Sequence, residues 1–110
     1  MNGAPIKLLV MDLDGTLLPH NSTISERTIA AIRAARERGV VTTISSGRNI
    51  PSILAYARET GVDGPLIGMQ GAIARELPGP GDTGSGTLIR HTPFSSTLGA
   101  RAISWCTEND

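Results

Sequence analysis

The chain has 110 residues, of which ten are basic and ten acidic, so it carries no net charge at neutral pH. This length accommodates one domain or part of a larger one. Balanced charge and only three aromatic residues disfavour a nucleic-acid partner, which requires a basic surface or a stacking platform. One cysteine and no long apolar run predict a cytoplasmic protein without disulfides and without a membrane partner.

The first predicted element is a strand over residues 8–11, an apolar run expected to be buried on both faces as in a parallel sheet. Asp-x-Asp-Gly-Thr follows it at residues 12–16. Because side chains alternate along an extended backbone, Asp12 and Asp14 point the same way if the strand continues through Leu13. Like charges that close repel each other unless a cation or a shared proton lies between them. Ligands gather at this end of strands in open α/β sheets, which indicates a functional site.

A helix and a second strand come next in the chain. Ser25 is the best N-cap of the helix, a capping box of Thr23 and Glu26 offers an earlier start, and Gly39 ends the helix as a left-handed residue. Residues 40–45 are almost all β-branched and predict a second parallel strand. A right-handed strand–helix–strand unit brings the carboxyl ends of both strands to one edge of the sheet. Asp12 and Ser46 are therefore expected to converge across one crevice.

The pattern then repeats once. A second helix is predicted from about Pro51 to Gly61, because proline suits a first helical turn and glycine ends one. A third, shorter strand is predicted over residues 65–69. Gln-Gly-Ala follows it at residues 70–72, as Ser-Gly-Arg follows the second strand at residues 46–48.

The remaining residues predict a hairpin and a last helix. Residues 73–77 lead into a glycine-rich tip at 78–87, and residues 88–91 form the return strand. The tip formally contains Gly-x-Gly-x-x-Gly, but a strand follows it instead of a helix, so a nucleotide-binding role is rejected. The last helix is predicted from Ser96 or Thr97 to about Glu108, with an apolar face.

Three of these segments carry a family resemblance. Asp-x-Asp-Gly-Thr at 12–16 resembles the first motif of the haloacid dehalogenase-like phosphohydrolases. Ser-Gly-Arg at 46–48 is similar to their second motif, commonly Thr-Gly-Arg in the Cof-type subgroup. Gln-Gly-Ala at 70–72 looks like the Asn-Gly-Ala of that subgroup, with glutamine in place of asparagine. The resemblance implies an α/β fold with a Rossmann-like parallel sheet and an inserted α/β cap. Residues 1–72 would then belong to the core and residues 73–110 to the beginning of the cap.

The resemblance also implies a chemistry, namely Mg²⁺-dependent hydrolysis of a small phosphorylated metabolite through an aspartyl phosphate. Asp12 would be the nucleophile and Asp14 the general acid and base, and the pair would hold the metal. The residues implied in phosphate binding are Leu13, Thr16, Ser46, Gly47 and Arg48. Arg48 is equally compatible with an ordinary surface arginine.

Two further motifs of the family have no counterpart in the sequence. Lys7, the only lysine, lies beside the first strand, and Asn109-Asp110 lacks the Gly-Asp that precedes it in the family's fourth motif. The chain is therefore expected to be the N-terminal part of a longer enzyme and inactive alone. A phosphomutase of the same superfamily and a non-catalytic remnant or binding protein stay open as alternatives. The sequence specifies neither the substrate nor the oligomeric state.

Overall fold

The structure is a computed structural model that describes residues 3–20 and 23–109. Its strands are β1 (Leu8–Met11), β2 (Val41–Ile44), β3 (Leu66–Gly68), β4 (Ile73–Arg75) and β5 (Leu88–His91). Its helices are α1 (Glu26–Glu37), α2 (Ile50–Thr60) and α3 (Ser96–Glu108), with one 3₁₀ turn at Met69–Gly71. The predicted α/β class is confirmed. None of the helices in the described ranges has the length and apolar character that crossing a membrane requires. Asp110, which completes the resemblance to the fourth motif, lies outside the described residues.

Parallel and antiparallel pairing meet at β3. β1 and β2 pair in parallel, with Leu8 opposite Val41. β3 reaches β2 through one parallel bridge between Ser45 and Ile67, and its main ladder is antiparallel to β4, which in turn pairs with β5. The predicted parallel sheet is therefore confirmed for two strands and reduced to one bridge for the third. With only three residues, β3 has little length to offer β2 while its other edge pairs with β4.

The ends of the helices follow the local sequence. Ser25 accepts the N–H of Thr28 at 3.2 Å, and Gly39 has a φ of 80°, which confirms the predicted cap and the predicted end of α1. Asn49 caps α2 in the same way by accepting the N–H of Ser52 at 2.9 Å. These contacts satisfy backbone donors that a helix leaves unpaired at its start.

The core lies where α1 and α2 pack against each other and against β2, with β3 beside α2. Apolar side chains at helical spacing on α1 and α2 meet the β-branched residues of β2, so the sequence pattern accounts for this packing. The buried apolar residues are Leu13, Leu17, Leu18, Ile24, Ile32, Ile44, Ile50, Ile53, Ala57, Val62 and Leu66.

The prediction that β1 is buried on both faces is wrong. Leu8 is 55% exposed, Leu9 37% and Val10 47%. Among the described residues β1 pairs with β2 alone, and α1 and α2 pack mainly against β2, β3 and each other. The apolar strand therefore has an open edge and uncovered side chains.

The glycine-rich loop between β4 and β5 folds back onto α2 instead of projecting freely. Arg58 donates to the Asp82 carbonyl at 3.0 Å, and Arg75 donates to the Gly86 carbonyl at 2.8 Å. Gly86 has a φ of 76°, and a Cβ there would lie 1.7 Å from the Glu76 carbonyl oxygen, so only glycine fits. The loop is thus anchored at its middle by Arg58 and near its C-terminal end by Arg75.

The last helix, α3, matches its predicted range but packs against little. Ile103 is 70% exposed and Trp105 65% exposed, and no residue of α3 is buried. Its predicted apolar face is therefore uncovered, as is the face of β1.

We expect the 110-residue chain to self-associate through β1, because an apolar strand with an open edge is a template for pairing with another chain. Leu8→Lys places a charge at that edge and should shift the chain toward monomer in sedimentation velocity measured over a concentration series. Ile103→Lys, on the exposed face of α3, serves as the control and should leave the association unchanged. A monomeric wild-type chain, or an equal effect of both substitutions, would contradict the assignment to β1.

Candidate active site

Polar side chains follow β1, β2 and β3 and line one open cleft of about 560 Å³. The order of strands and helices brings these three strand ends to one side of the molecule, where ligands bind in open α/β sheets. The lining residues are Asp12, Asp14, Ser46, Gly47, Arg48 and Gln70. Of the sequence-predicted site residues, Leu13 and Thr16 are not among those that line it.

The two carboxylates owe their direction to the residue between them. Leu13 is fully buried, whereas Asp12 and Asp14 on either side of it are exposed, so the alternation of a strand persists past β1. The backbone then turns, and Leu18 donates its N–H to the Leu13 carbonyl at 2.8 Å. Thr16 donates its hydroxyl to a carboxylate oxygen of Asp12 at 3.4 Å, so Thr16 touches the nucleophile candidate from outside the cleft.

Ser46 lies at the back of the cleft and is 4% exposed. Its hydroxyl oxygen accepts the backbone N–H of Arg48 at 3.2 Å, and its own backbone N–H donates to the Ile67 carbonyl at 3.0 Å. These two bonds fix the loop after β2 against β3. They leave the hydroxyl proton of Ser46 for an acceptor in the cleft, which is the role that a phosphate oxygen would fill.

Arg48 forms a two-pronged ion pair with Asp14 across the cleft. Its Nε lies 2.8 Å from Oδ2 and its Nη2 2.6 Å from Oδ1 of Asp14. The hydrogen bonds from Arg48 hold the pKa of Asp14 below its usual value, and the same contact raises the pKa of Arg48. The guanidinium also lies 5.5 Å from the centre of the Tyr56 ring, on its face. In this arrangement Asp14 is ionised at neutral pH and Arg48 directs its donors to Asp14.

Sequence reasoning gave Gln70 no role, yet its side chain is on the cleft wall. Met69 and Gln70 both have left-handed backbones, with φ of 52° and 55°. Their N–H groups donate to the carbonyls of Arg48 at 2.9 Å and Ser46 at 3.3 Å. A polar residue one position before a glycine at a strand end was the available signal, but an ordinary turn has the same composition.

The oxygens of the cleft suit a hard cation, though few of them are present. Among residues 3–20 and 23–109 there is no group of three or more acidic, histidine or cysteine side chains placed to hold a metal. Mg²⁺ accepts one or two carboxylates and completes its shell with water and phosphate oxygens. The Asp12 carboxylate and the Asp14 main-chain carbonyl fit that preference, while the Asp14 carboxylate is in contact with Arg48.

Asp63 is a second acidic residue with a lowered pKa, and it lies away from the cleft. Asp63 accepts the backbone N–H of Thr42 at 2.9 Å and pairs with Arg36 at 3.3 Å. The backbone hydrogen bond from Thr42 is the main cause of its lowered pKa, and Arg36 adds to it. Asp63 does not line the cleft, so it provides a comparison for Asp14.

Comparison with known proteins gives a family match over almost the whole chain. Residues 9–110 match the model of a family described as haloacid dehalogenase-like hydrolase. The phosphoglycolate phosphatase of Thermoplasma volcanium is 38% identical over 68 residues, which are 62% of this chain and 30% of that protein. The 5-amino-6-(5-phospho-D-ribitylamino)uracil phosphatase of Bacillus subtilis is 37% identical over 65 residues, 59% of this chain and 24% of that protein. The chain thus matches less than a third of the length of these relatives.

Solved structures agree with the fold described above. A haloacid dehalogenase-like hydrolase from B. subtilis superimposes with a TM-score of 0.79 at 25% identity, over 94% of this chain and 34% of that one. A protein from Thermoplasma acidophilum superimposes with a TM-score of 0.69 at 27% identity, over 90% of this chain and 41% of that one. The arrangement of helices with parallel and antiparallel sheets is thus the one found in that family.

Replacement of Arg48, whose guanidinium lies beside Asp14, should raise the pKa of the Asp14 carboxyl. In Arg48→Gln we expect the Asp14 pKa, followed by carboxyl ¹³C shifts in metal-free buffer, to return toward its ordinary value. Because the folded-state pKa is depressed, the ion pair stabilises the fold above the unfolded-state pKa of Asp14. That contribution to the free energy of unfolding is lost as the pH falls through the folded-state pKa. In Arg48→Gln the free energy of unfolding should not show this decrease.

The matched control for this titration is Arg36→Gln. It should leave Asp14 unchanged and raise the pKa of Asp63 only in part, because the N–H of Thr42 remains. An Asp14 pKa that is the same with and without Arg48 would show that the ion pair is not formed in solution.

Proposed function

The chain belongs to the haloacid dehalogenase-like hydrolases, and we propose that it carries the nucleophile, the acid and base, and part of the phosphate site of a Mg²⁺-dependent phosphatase. The observation that carries the proposal is the position of Asp12, Asp14 and Ser46 on one cleft at the carboxyl ends of successive strands. Within this proposal residues 1–72 form the N-terminal part of a Rossmann-like core and residues 73–110 the beginning of an α/β cap. The pairing changes from parallel to antiparallel at this boundary, although β3 and β4 form one ladder across it.

The proposed reaction has two displacements at phosphorus. Asp12 attacks in line, the bond from phosphorus to the leaving oxygen breaks, and Asp14 gives a proton to the departing alcohol. Water then attacks the aspartyl phosphate while Asp14 takes one of its protons, which releases phosphate and restores the Asp12 carboxylate. The hydroxyl of Ser46 and the backbone amide of Leu13 hold oxygens of the transferring group, with Thr16 and Gly47 beside them.

The ion pair between Arg48 and Asp14 has to open for this chemistry. An ionised carboxylate has no proton to give, so Asp14 acts as an acid only after Arg48 moves away and the carboxylate takes up a proton from water or from the phosphate monoanion. An incoming phosphate presents the same fork of oxygens as a carboxylate and competes for Arg48. Transfer of Arg48 from Asp14 to the substrate would therefore bind the phosphate and leave the Asp14 carboxylate free to take up the proton that it later donates.

The metal has one role in this scheme. When bound, Mg²⁺ would offset the negative charge of the phosphate and of the attacking carboxylate. The Asp12 carboxylate and the Asp14 main-chain carbonyl are the ligands that this chain offers, with water and the phosphate filling the other positions.

The proposed substrate class is a small phosphorylated metabolite. The relatives named above are phosphatases for phosphoglycolate and for a phosphoribitylamino uracil, two substrates that share little besides the phosphate monoester. A phosphomutase would use the same aspartyl phosphate and pass it to a second hydroxyl. Formation of an isomer without phosphate release would identify that alternative.

The small number of metal ligands favours a second candidate for the 110-residue chain itself, namely phosphate binding without turnover. We expect the chain to bind Mg²⁺ weakly and to hydrolyse an aryl phosphate at background rate, because one carboxylate and one carbonyl hold this ion poorly. Calorimetric titration with Mg²⁺ and a phosphate-release assay check this expectation. Mg²⁺-dependent hydrolysis that disappears in Asp12→Asn would show that the 110 residues are a complete enzyme.

The proposed hydrolysis is tested in a protein that contains this chain together with the remainder of the family fold. Asp12→Asn should abolish phosphate release, because an amide cannot form the aspartyl phosphate. Asp14→Asn should reduce turnover by about 10²-fold or more through loss of acid and base catalysis, while phosphorylated Asp12 stays detectable by mass spectrometry. Asp82→Asn, in the glycine-rich loop and outside the cleft, is the control and should have no effect. Near-normal turnover in Asp12→Asn would refute the assignment.

A further inference from the structure

The turn after β3 has a backbone that its sequence does not favour. Met69 and Gln70 are successive residues with positive φ, and they are the only non-glycine residues with positive φ in the described part of the chain. Residues with a Cβ rarely adopt this conformation, and when they do they cluster at ligand sites, where the surrounding structure maintains the strain. The turn therefore has an unusual shape that something else in the molecule holds in place.

The loop after β2, which contains Ser46 and Arg48, holds the turn after β3 in place. The N–H of Met69 donates to the Arg48 carbonyl, and the N–H of Gln70 donates to the Ser46 carbonyl. At Gly68 a Cβ would lie 2.9 Å from the Arg48 carbonyl oxygen, so the two loops approach as closely as a glycine permits. The strained turn is thus bound to the same segment that supplies Ser46 and Arg48 to the cleft.

This geometry presses the carboxamide of Gln70 against Gly47. A Cβ at Gly47 would lie 2.7 Å from Nε2 and 3.2 Å from Cδ of Gln70. Gly47 is not among the residues with positive φ, so its backbone does not require glycine. A side chain at residue 47 would therefore have to displace the Gln70 carboxamide from the space that it occupies.

The carboxamide is available to a ligand. It lies on the wall of the cleft with Asp12 and Ser46, and it hydrogen-bonds to no group in the part of the chain that the structure describes. It carries two N–H donors and no charge. In a cleft whose guanidinium is engaged by Asp14, these donors are free for an anion.

We infer that Gln70 contacts the substrate, with its carboxamide donating a hydrogen bond to an oxygen of the bound phosphoryl group, and that Gly47 is a positioning residue that leaves room for it. This inference rests on the proposed function and adds a residue from the third strand end to the site. It also assigns a purpose to the strained turn, which directs the Gln70 side chain into the cleft.

The test is a double-substitution cycle with inorganic phosphate as the probe. Phosphate is titrated in the presence of Mg²⁺ into the dilute 110-residue chain, and Kd is taken from ¹H–¹⁵N shifts of cleft amides. Gln70→Ala should raise Kd about tenfold, the typical effect of losing a hydrogen bond to a charged group. Gly47→Ala should raise Kd similarly by displacing the carboxamide, and the double variant should bind no more weakly than either single one.

Three further variants separate a specific contact from a general loss of structure. Gln70→Glu keeps the shape but exchanges donors for a negative charge, and it should weaken binding more than alanine does. Met69→Gly relieves the same kind of backbone strain without removing the carboxamide, and it should leave Kd unchanged. Ser46→Ala should weaken phosphate binding whether or not Gln70 takes part.

The outcomes distinguish the two proposals. If Ser46→Ala weakens phosphate binding and Gln70→Ala does not, the inference about Gln70 is wrong while the phosphate site stands. If the effects of Gly47→Ala and Gln70→Ala multiply in the double variant, Gly47 does not act through Gln70. If the wild-type chain binds no phosphate even at high concentration with Mg²⁺, the proposed phosphate site is wrong, and the role of Gln70 falls with it.

Discussion

Burial of Leu13 is the constraint on which the site depends. Because this side chain is completely inside the core, the residues on either side of it have to face outward, and both of them are aspartates. The carbonyl of Leu13 then accepts the N–H of Leu18, which closes the turn beneath them. The direction of two exposed carboxylates is thus set mainly by hydrophobic burial, which is stronger than any contact that Asp12 makes itself.

The charge conflict between the two carboxylates is relieved by a side chain from the neighbouring strand end. The sequence indicates that a cation or a shared proton has to lie near Asp12 and Asp14, and the structure supplies the guanidinium of Arg48. Because Arg48 follows β2 and Asp14 follows β1, the pair also joins the two loops. The lowered pKa of Asp14 is the electrostatic consequence of that junction. The ion pair therefore offsets the charges of Asp14 and Arg48, and an anion that binds Arg48 in this cleft has to compete with Asp14.

Local signals predicted most of the fold, while features that depend on distant partners escaped them. Periodicity and caps located the three α-helices of the described residues, and Ser25 and Gly39 have the predicted roles. The apolar run of β1 indicates that a strand can be buried, but its exposure depends on whether other elements cover it. The left-handed backbones of Met69 and Gln70 are likewise held by hydrogen bonds to the carbonyls of Arg48 and Ser46, which the propensities of these residues do not reveal. The order of the strands was enough to predict that Asp12 and Ser46 meet at one edge of the sheet. It did not predict that Gln70, in the turn after β3, joins them.

The charge of the cleft decides what it can bind unaided. Two carboxylates and one guanidinium line it, so their sum is negative, and a phosphate that enters meets net repulsion despite the donors of Ser46 and Gln70. Neutral donors orient an anion but do not offset a like charge of this size. Additional positive charge is therefore needed for a phosphate to displace Asp14 from Arg48, and under the proposed function an ion held by Asp12 would supply it. In the proposed reaction, metal binding and the separation of Asp14 from Arg48 are consequently coupled, since the metal reduces the negative charge that opposes the phosphate which competes for Arg48.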